Sequence, residues 1–364
     1  MSIVQCAPDY VRSISPYQPG KPITQLAREI GLPAESIVKL ASNENPLGMS
    51  PKARAAVEAA LGGVERYPDQ HDLIAVLAER LAVEPGCVVL GNGSNDVLDL
   101  VARVFLAPGR SSVFSQHAFA VYPLATIGMG GRCIVTPARE YGHDLPAMLA
   151  AIDESTRVVW IANPNNPTGT FLPYAQLRDF MERVPRDVVM VLDEAYNEYL
   201  VPADRAEAVA WLMDFPNLVV TRTFSKIYGL AGLRVGYAVA APEVADLMNR
   251  VRQPFNCNNL ALAAAQAALD DHLFLARSYE LNRAGMEQLV GGLKRLGLGH
   301  IPSHGNFLTF RVPDAAGVNQ RLLRQGVIVR PIAGYGMPDH LRVSIGLESE
   351  NARFLEALAK VLNG

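Results

Sequence analysis

Between about residue 50 and residue 255 the chain alternates two patterns. Short apolar runs of strand length, Val88-Leu90, Ser112-Phe114, Cys133-Val135, Val158-Ala162, Val188-Leu192, Leu218-Thr221 and Val235-Val239, mostly have segments of helical spacing between them, such as Asn95-Phe105, Tyr174-Val184 and Glu243-Val251. A strand buried on both faces reads as a continuous apolar run, whereas a covering helix needs only one apolar stripe. The alternation therefore predicts an α/β unit, a mostly parallel sheet with helices on both faces.

Residues 1–40 have a different texture and read as an arm. Ser15-Pro16-Tyr17-Gln18-Pro19-Gly20 is a loop rich in breakers, and a short amphipathic helix, Ile23 to Ile30, stops at Gly31 and Pro33. After Asn259 the pattern changes again. An alanine-rich helix, Leu260-Leu269, precedes a long helix from Asp271 to Leu296, ended by Gly297 and Gly299. Three short strands near Phe307-Phe310, Val327-Val329 and Leu341-Ile345, with helices at Val318-Arg324 and Ser349-Leu362, make a small α+β unit. A length of 364 residues suits about two domains.

Composition narrows the function classes. With 49% hydrophobic and 19% charged residues the chain has ample material for a core, and a net charge of −3 gives no footprint for nucleic acid. Cys6, Cys87, Cys133 and Cys257 are scattered, which argues against a disulfide framework or a structural zinc site. His300 and His304 stand four apart, but Gly299 and Pro302 break the helix that would align them, so no metal site is expected. Neither a signal peptide nor an apolar run of membrane-spanning length is visible, so a cytoplasmic protein is expected, with no membrane partner. There are 27 arginines and only 6 lysines. Between Lys52 and Lys294 the only lysine is Lys226, so chemistry needing a primary amine in that stretch must use it.

Four motifs sit where predicted strands end. Thr223-Phe224-Ser225-Lys226, followed by Gly229-Leu230-Ala231-Gly232-Leu233-Arg234, sets a lysine among small and apolar neighbours. Poor solvation there lowers the amine's pKa and makes it a usable nucleophile, while Thr223, Ser225 and Arg234 are phosphate-binding types. Asp193-Glu194-Ala195-Tyr196 puts a carboxylate at a strand's C-terminal end, where open α/β sheets bind ligands. Asn163-Pro164-Asn165-Asn166-Pro167-Thr168-Gly169 is a turn whose prolines pre-orient an amide. Gly91-Asn92-Gly93-Ser94-Asn95-Asp96 opens a helix, where free backbone N–H groups favour an anion. Its third fingerprint position holds Asp96 rather than glycine and there is no Walker lysine, so a single phosphate monoester fits better than a pyrophosphate. Each motif alone also fits an ordinary loop or a solvated strand end. Together, a phosphate cradle, a carboxylate, an amide, an aromatic plate and one desolvated lysine describe a site for pyridoxal 5′-phosphate.

At these residues the sequence resembles the fold-type I aminotransferases, most closely the histidinol-phosphate aminotransferase family. The matching stretches run nearly the length of the chain. They include Ser15-Pro16-Tyr17, Ala41-Ser42-Asn43-Glu44-Asn45-Pro46-Leu47-Gly48, Arg66-Tyr67-Pro68-Asp69, the four motifs above and Leu341-Arg342-Val343-Ser344-Ile345-Gly346. The resemblance implies an arm at 1–40 touching a partner subunit, a large cofactor-binding domain at 41–258, a small C-terminal domain at 259–364, and a homodimer with shared active sites.

It also implies roles. Lys226 holds the cofactor covalently and later shuttles a proton; Asp193 keeps the ring nitrogen protonated; Asn166 and Tyr196 bond the phenolic oxygen; Phe119 stacks on the ring. Ser94, Asn95, Thr223, Ser225 and Arg234 hold the phosphate, with Tyr67 reaching in from the other subunit. Arg342 binds the acidic group of the substrate, glutamate or 2-oxoglutarate in one half-reaction and histidinol phosphate in the other, with Arg330 assisting. Tyr17, from the partner's arm, and Asn43 line the substrate pocket. An aromatic amino-acid aminotransferase of the same fold is the alternative, and a phosphothreonine decarboxylase is a more distant one. A ligand-sensing regulator would need a DNA-binding unit ahead of the core, where only about 40 non-basic residues stand.

Overall fold

The computed structural model describes residues 2–205 and 208–363. All the apolar runs of the alternating region become strands of one seven-stranded sheet: β1 (Val88–Gly91), β2 (Ser111–Ser115), β3 (Arg132–Thr136), β4 (Thr156–Ala162), β5 (Val189–Asp193), β6 (Leu218–Thr223) and β7 (Gly236–Ala240). Their spatial order is β1-β7-β6-β5-β4-β2-β3, and only β7 runs antiparallel to its neighbours. Every residue of β5, β6 and β7 is buried, as their unbroken apolar texture requires. Successive residues face opposite sides, so β5 divides its side chains between two cores: Met190 and Leu192 join one, Val189 and Val191 the other. A fully buried Leu or Val contributes about 1.5–3 kcal/mol relative to exposure, which makes these two layers the chief stabilising element.

Helices Ile23–Ile30, Ser94–Phe105, Tyr174–Arg183, Pro242–Val251, Asn259–Leu269 and His272–Arg295 form within a residue or so of the expected bounds. Beyond them lies a four-stranded antiparallel sheet: β8 (His300–Ile301), β9 (Phe307–Arg311), β10 (Arg330–Pro331) and β11 (His340–Ser344), in the order β8-β9-β11-β10. The two-residue strands β8 and β10 carry too little pattern to be seen in the sequence.

One expectation changes. The strand near Val327-Val329 does not join this sheet; Val327–Ile328 pairs in parallel with Val38–Lys39. The reason is apolar burial. Leu26, Ile37 and Ala41 pack against Leu323 and Ile328, so residues 23–41 lie on the C-terminal elements of their own chain. Leu40 then accepts a bond from the Ser344 amide at 2.8 Å, which carries the chain to Asn43 beside β11. No helix among the described residues is long and apolar enough to cross a membrane.

Candidate active site

The carboxyl ends of β1, β2, β4, β5 and β6 and the start of the reversed β7 surround a cavity of ≈ 250 Å³. Open α/β sheets bind ligands at this edge because the loops leaving parallel strands converge there.

Asp193 ends β5, 4% exposed. It accepts a bond from the Tyr122 hydroxyl at 2.9 Å and a longer one from the Ala195 amide at 3.3 Å. Among the described residues it makes no salt bridge. Burial pushes its carboxyl up to about 6, against the pull of those donors. Tyr122 is itself fixed by stacking on Trp160, ring centroids 5.3 Å apart.

Lys226 follows β6. Its Nζ donates to the Ser42 carbonyl at 3.2 Å and makes no salt bridge among the described residues. Burial, followed by the positive charge of Arg342, brings the amine down to about 8. The Lys226 loop is held by the Asn-Glu-Asn-Pro stretch. Asn45 donates to the Ile227 carbonyl at 2.7 Å, and a Cβ on Gly229 would fall 1.9 Å from the Gly48 carbonyl oxygen, so the two loops touch backbone to backbone.

At the opposite end a cradle forms. The helix Ser94–Phe105 begins after Gly93 with no side-chain cap, leaving its first N–H groups free toward the cavity edge. Arg234, at φ 60°, donates to Ser225 Oγ at 3.3 Å, and Thr223 Oγ1 accepts the Ser225 amide at 3.1 Å. A Cβ on Gly93 would meet Arg234 Nη2 at 2.0 Å, so only glycine lets the guanidinium close over the helix terminus.

The remaining wall comes from β11 and the N-terminal segment. Arg342, 5% exposed, donates through Nη1 to Asn166 Oδ1 and through Nη2 to the Ala41 carbonyl at 2.8 Å. Its Nε is buried without a partner. Asn43 donates through Nδ2 to the Tyr196 hydroxyl at 3.0 Å, and its Oδ1 accepts from Ser344 Oγ at 2.9 Å. Burial holds the Tyr196 phenol at about 12.

Comparison with known proteins follows the same lines. A model of aminotransferase classes I and II matches residues 35–358. Histidinol-phosphate aminotransferase 1 of Dechloromonas aromatica is 74% identical, with both chains covered completely. That of Methylobacillus flagellatus is 60% identical, over 98% of this chain and 97% of its own. The chain belongs to the histidinol-phosphate aminotransferase family. A member from Sinorhizobium meliloti, whose crystal structure contains pyridoxal-5′-phosphate, superposes with a TM-score of 0.89 at 29% identity, over 97% of this chain and 96% of its own. Aspartate aminotransferase of Thermus thermophilus shares the fold at 22% identity and a TM-score of 0.85.

Histidinol-phosphate aminotransferases work with that cofactor, and the residues present here fit it. Among the described residues, a buried acid without a cation, a half-buried amine without an anion and a glycine-gated cradle are each incomplete alone and complementary to one molecule carrying a protonatable ring nitrogen, an aldehyde and a phosphate. Ser94, Asn95, Phe119, Asn166, Asp193, Tyr196, Thr223, Ser225, Lys226 and Arg234 all line the cavity, as do Tyr17, Asn43, Arg330 and Arg342. Tyr67 does not. It is 79% exposed and stacks on Phe255 at 4.4 Å. That leaves the expectation that it reaches a second copy's site untouched, whereas Tyr17, expected from the partner's arm, is found otherwise: the cavity wall receives this chain's own Tyr17, with Arg330 5.2 Å over its ring. Seating of residues 23–41 on the C-terminal elements brings the preceding loop there. The sequence assigns no role to Tyr122 or Tyr335, nor to Asn45 and Ser344 although both stand in matching stretches, because what each touches is set by a tertiary bond or contact that local sequence does not show.

Proposed function

We propose that this chain transfers the amino group between L-histidinol phosphate and 2-oxoglutarate, giving imidazole-acetol phosphate and L-glutamate. The observation that carries the reading is the pair Asp193, buried, and Lys226, half-buried, which face one cavity and form no salt bridge among the described residues. When bound, pyridoxal 5′-phosphate supplies a reactive aldehyde and an electron-accepting ring.

Lys226 would hold that aldehyde. At a pKa of about 8, roughly a tenth of the amine is neutral at pH 7, enough to act as nucleophile and, once displaced, as the base that moves a proton at the substrate carbon. Asp193 would hold a proton on the ring nitrogen, and the positive charge there would draw the carboxyl down from about 6. Tyr196 stays protonated, and because its oxygen already accepts from Asn43 its own hydrogen is free to donate. Arg342 ties Asn166 by its oxygen, leaving the amide Nδ2 as donor toward the phenolic oxygen. Phe119 would stack on the ring, and Ser94, Asn95, Thr223, Ser225 and Arg234 would hold the phosphate.

On the substrate side, Arg342 and Arg330 offer two guanidinium groups to an acidic group, and Tyr17 and Asn43 stand beside them. The 74% identical relative bears the name of this activity, which supports a phosphate ester over an aromatic amino acid. We also propose a homodimer of cytoplasmic chains, in which the exposed Tyr67 reaches the cofactor phosphate of a second copy. A substrate panel on the purified holoenzyme tests the reading. Histidinol phosphate should exceed phenylalanine and tyrosine in kcat/KM by orders of magnitude; equal or inverted preference would replace it with the aromatic assignment.

A further inference from the structure

Tyr17, Arg330 and Tyr335 line the active-site cavity and also an adjoining groove of ≈ 600 Å³, so they stand where the two spaces meet. Tyr335 is the member of this set that no sequence motif marks.

Its placement is fixed from behind. It ends the tight turn Ala333–Tyr335, followed by Gly336 at φ 72°. Its carbonyl meets Nδ1 of His117, on the loop that carries Phe119. With the backbone tied down, the half-buried ring lines the cavity. Its hydroxyl feels the positive charge of Arg342 and, more weakly, of Arg330, while burial keeps it protonated. It is therefore a neutral donor beside two cations.

Arg342 has already committed one N–H of Nη1 to Asn166 and one of Nη2 to Ala41. What remains on one guanidinium can serve a carboxylate, which has two oxygens. A phosphate monoester has three terminal oxygens and a charge of about −1.5 to −2. It needs a second cation, which Arg330 provides, and a further donor. Tyr17 is 49% exposed and competes with water, whereas Tyr335 is better shielded.

We propose that Tyr335 is a specificity-determining residue for the phosphorylated substrate, donating its hydroxyl to the phosphate in one half-reaction and finding no matching oxygen on glutamate in the other. This deepens, and rests on, the aminotransferase reading above. The test compares wild-type holoenzyme with Tyr335→Phe, which keeps the ring and removes the donor. Three substrates are measured, histidinol phosphate, histidinol and glutamate, together with inhibition by inorganic phosphate. Wild type should prefer histidinol phosphate over histidinol strongly. In the variant that preference should shrink about ten- to hundredfold, mainly through KM, and the inhibition constant for phosphate should rise in parallel. The loss for glutamate should be much smaller than the loss for the ester. An unchanged preference, or an equal fall for all three substrates, would overturn the role of Tyr335 while leaving the function intact. A wild-type enzyme blind to the phosphate would overturn the function and this role with it.

Discussion

Asp193 and Glu194 are adjacent carboxylates at the end of one strand, yet they belong to opposite sides of the central sheet. Glu194, fully buried, is paired with Arg222 at 2.8 Å and accepts the Tyr174 hydroxyl at 2.6 Å. Asp193, almost as buried, has a tyrosine hydroxyl and a long amide contact but, among the described residues, no cation. One side neutralises its charge with protein and is finished on folding. The other leaves its charge for something that arrives later. A buried charge is costly unless paired, so an unpaired one beside a cavity marks where a ligand completes the structure. The same contrast separates Lys226, held by a carbonyl and the face of the Tyr196 ring, from Lys21, paired with Glu29.

The comparison can be broken by exchanging the two sides' responses to mutation. Lys226→Ala on the ligand side should lower transamination on the order of ten-thousandfold, measured as kcat with histidinol phosphate, because it removes both attachment point and proton carrier. Glu194→Gln on the finished side should act on stability. Stranding Arg222 in the core should cost about 3–5 kcal/mol in denaturant-induced unfolding, with kcat of the folded enzyme reduced less than about tenfold. Asp193→Asn should do the reverse, lowering kcat on the order of a hundredfold while the cofactor stays bound, as followed by its absorbance.

The smallest effect concerns pH. Folding raises the Asp193 pKa from 3.8 to about 6, so the folded chain holds a proton that the unfolded chain has lost in that window. Asp193 therefore makes cofactor-free protein less stable as pH rises from about 4 to 6, and the penalty is complete above that. Cofactor-free Asp193→Asn should consequently be more stable than wild type at pH 7 by about 1–3 kcal/mol, with the gain vanishing near pH 4. A variant equally or less stable at pH 7 would show that Asp193 is already neutralised by the protein.

The two sides also differ in how far they could be read beforehand. The ligand side is written in contiguous motifs, since each parallel strand delivers its functional residue within a few positions of its end: Ser94 after β1, Asn166 after β4, Asp193 on β5, Lys226 after β6. The apolar runs that predict the strands thereby also predict which residues converge. The substrate wall is assembled otherwise. Asn43 stands far in sequence from Arg342 on β11 and from Tyr335 in the turn before that strand, and the pairing of Val38–Lys39 with Val327–Ile328 that brings the N-terminal segment to them has no local signature. Two-residue strands are too short for periodicity, and bonds such as Tyr122 to Asp193 depend on the register of whole elements. Tyr17 was legible as a pocket residue, but the arm's seating on its own chain, which decides which Tyr17 is nearby, rests on the packing of Leu26 and Ile37.

The most direct measurement is reduction of the holoprotein with borohydride, followed by digestion and mapping of the labelled peptide. A pyridoxyl label confined to Lys226 is the expected result, since among the described residues it is the one lysine that lines the cavity Asp193 shares. A label on any other lysine, or a protein that takes up no cofactor, would contradict it.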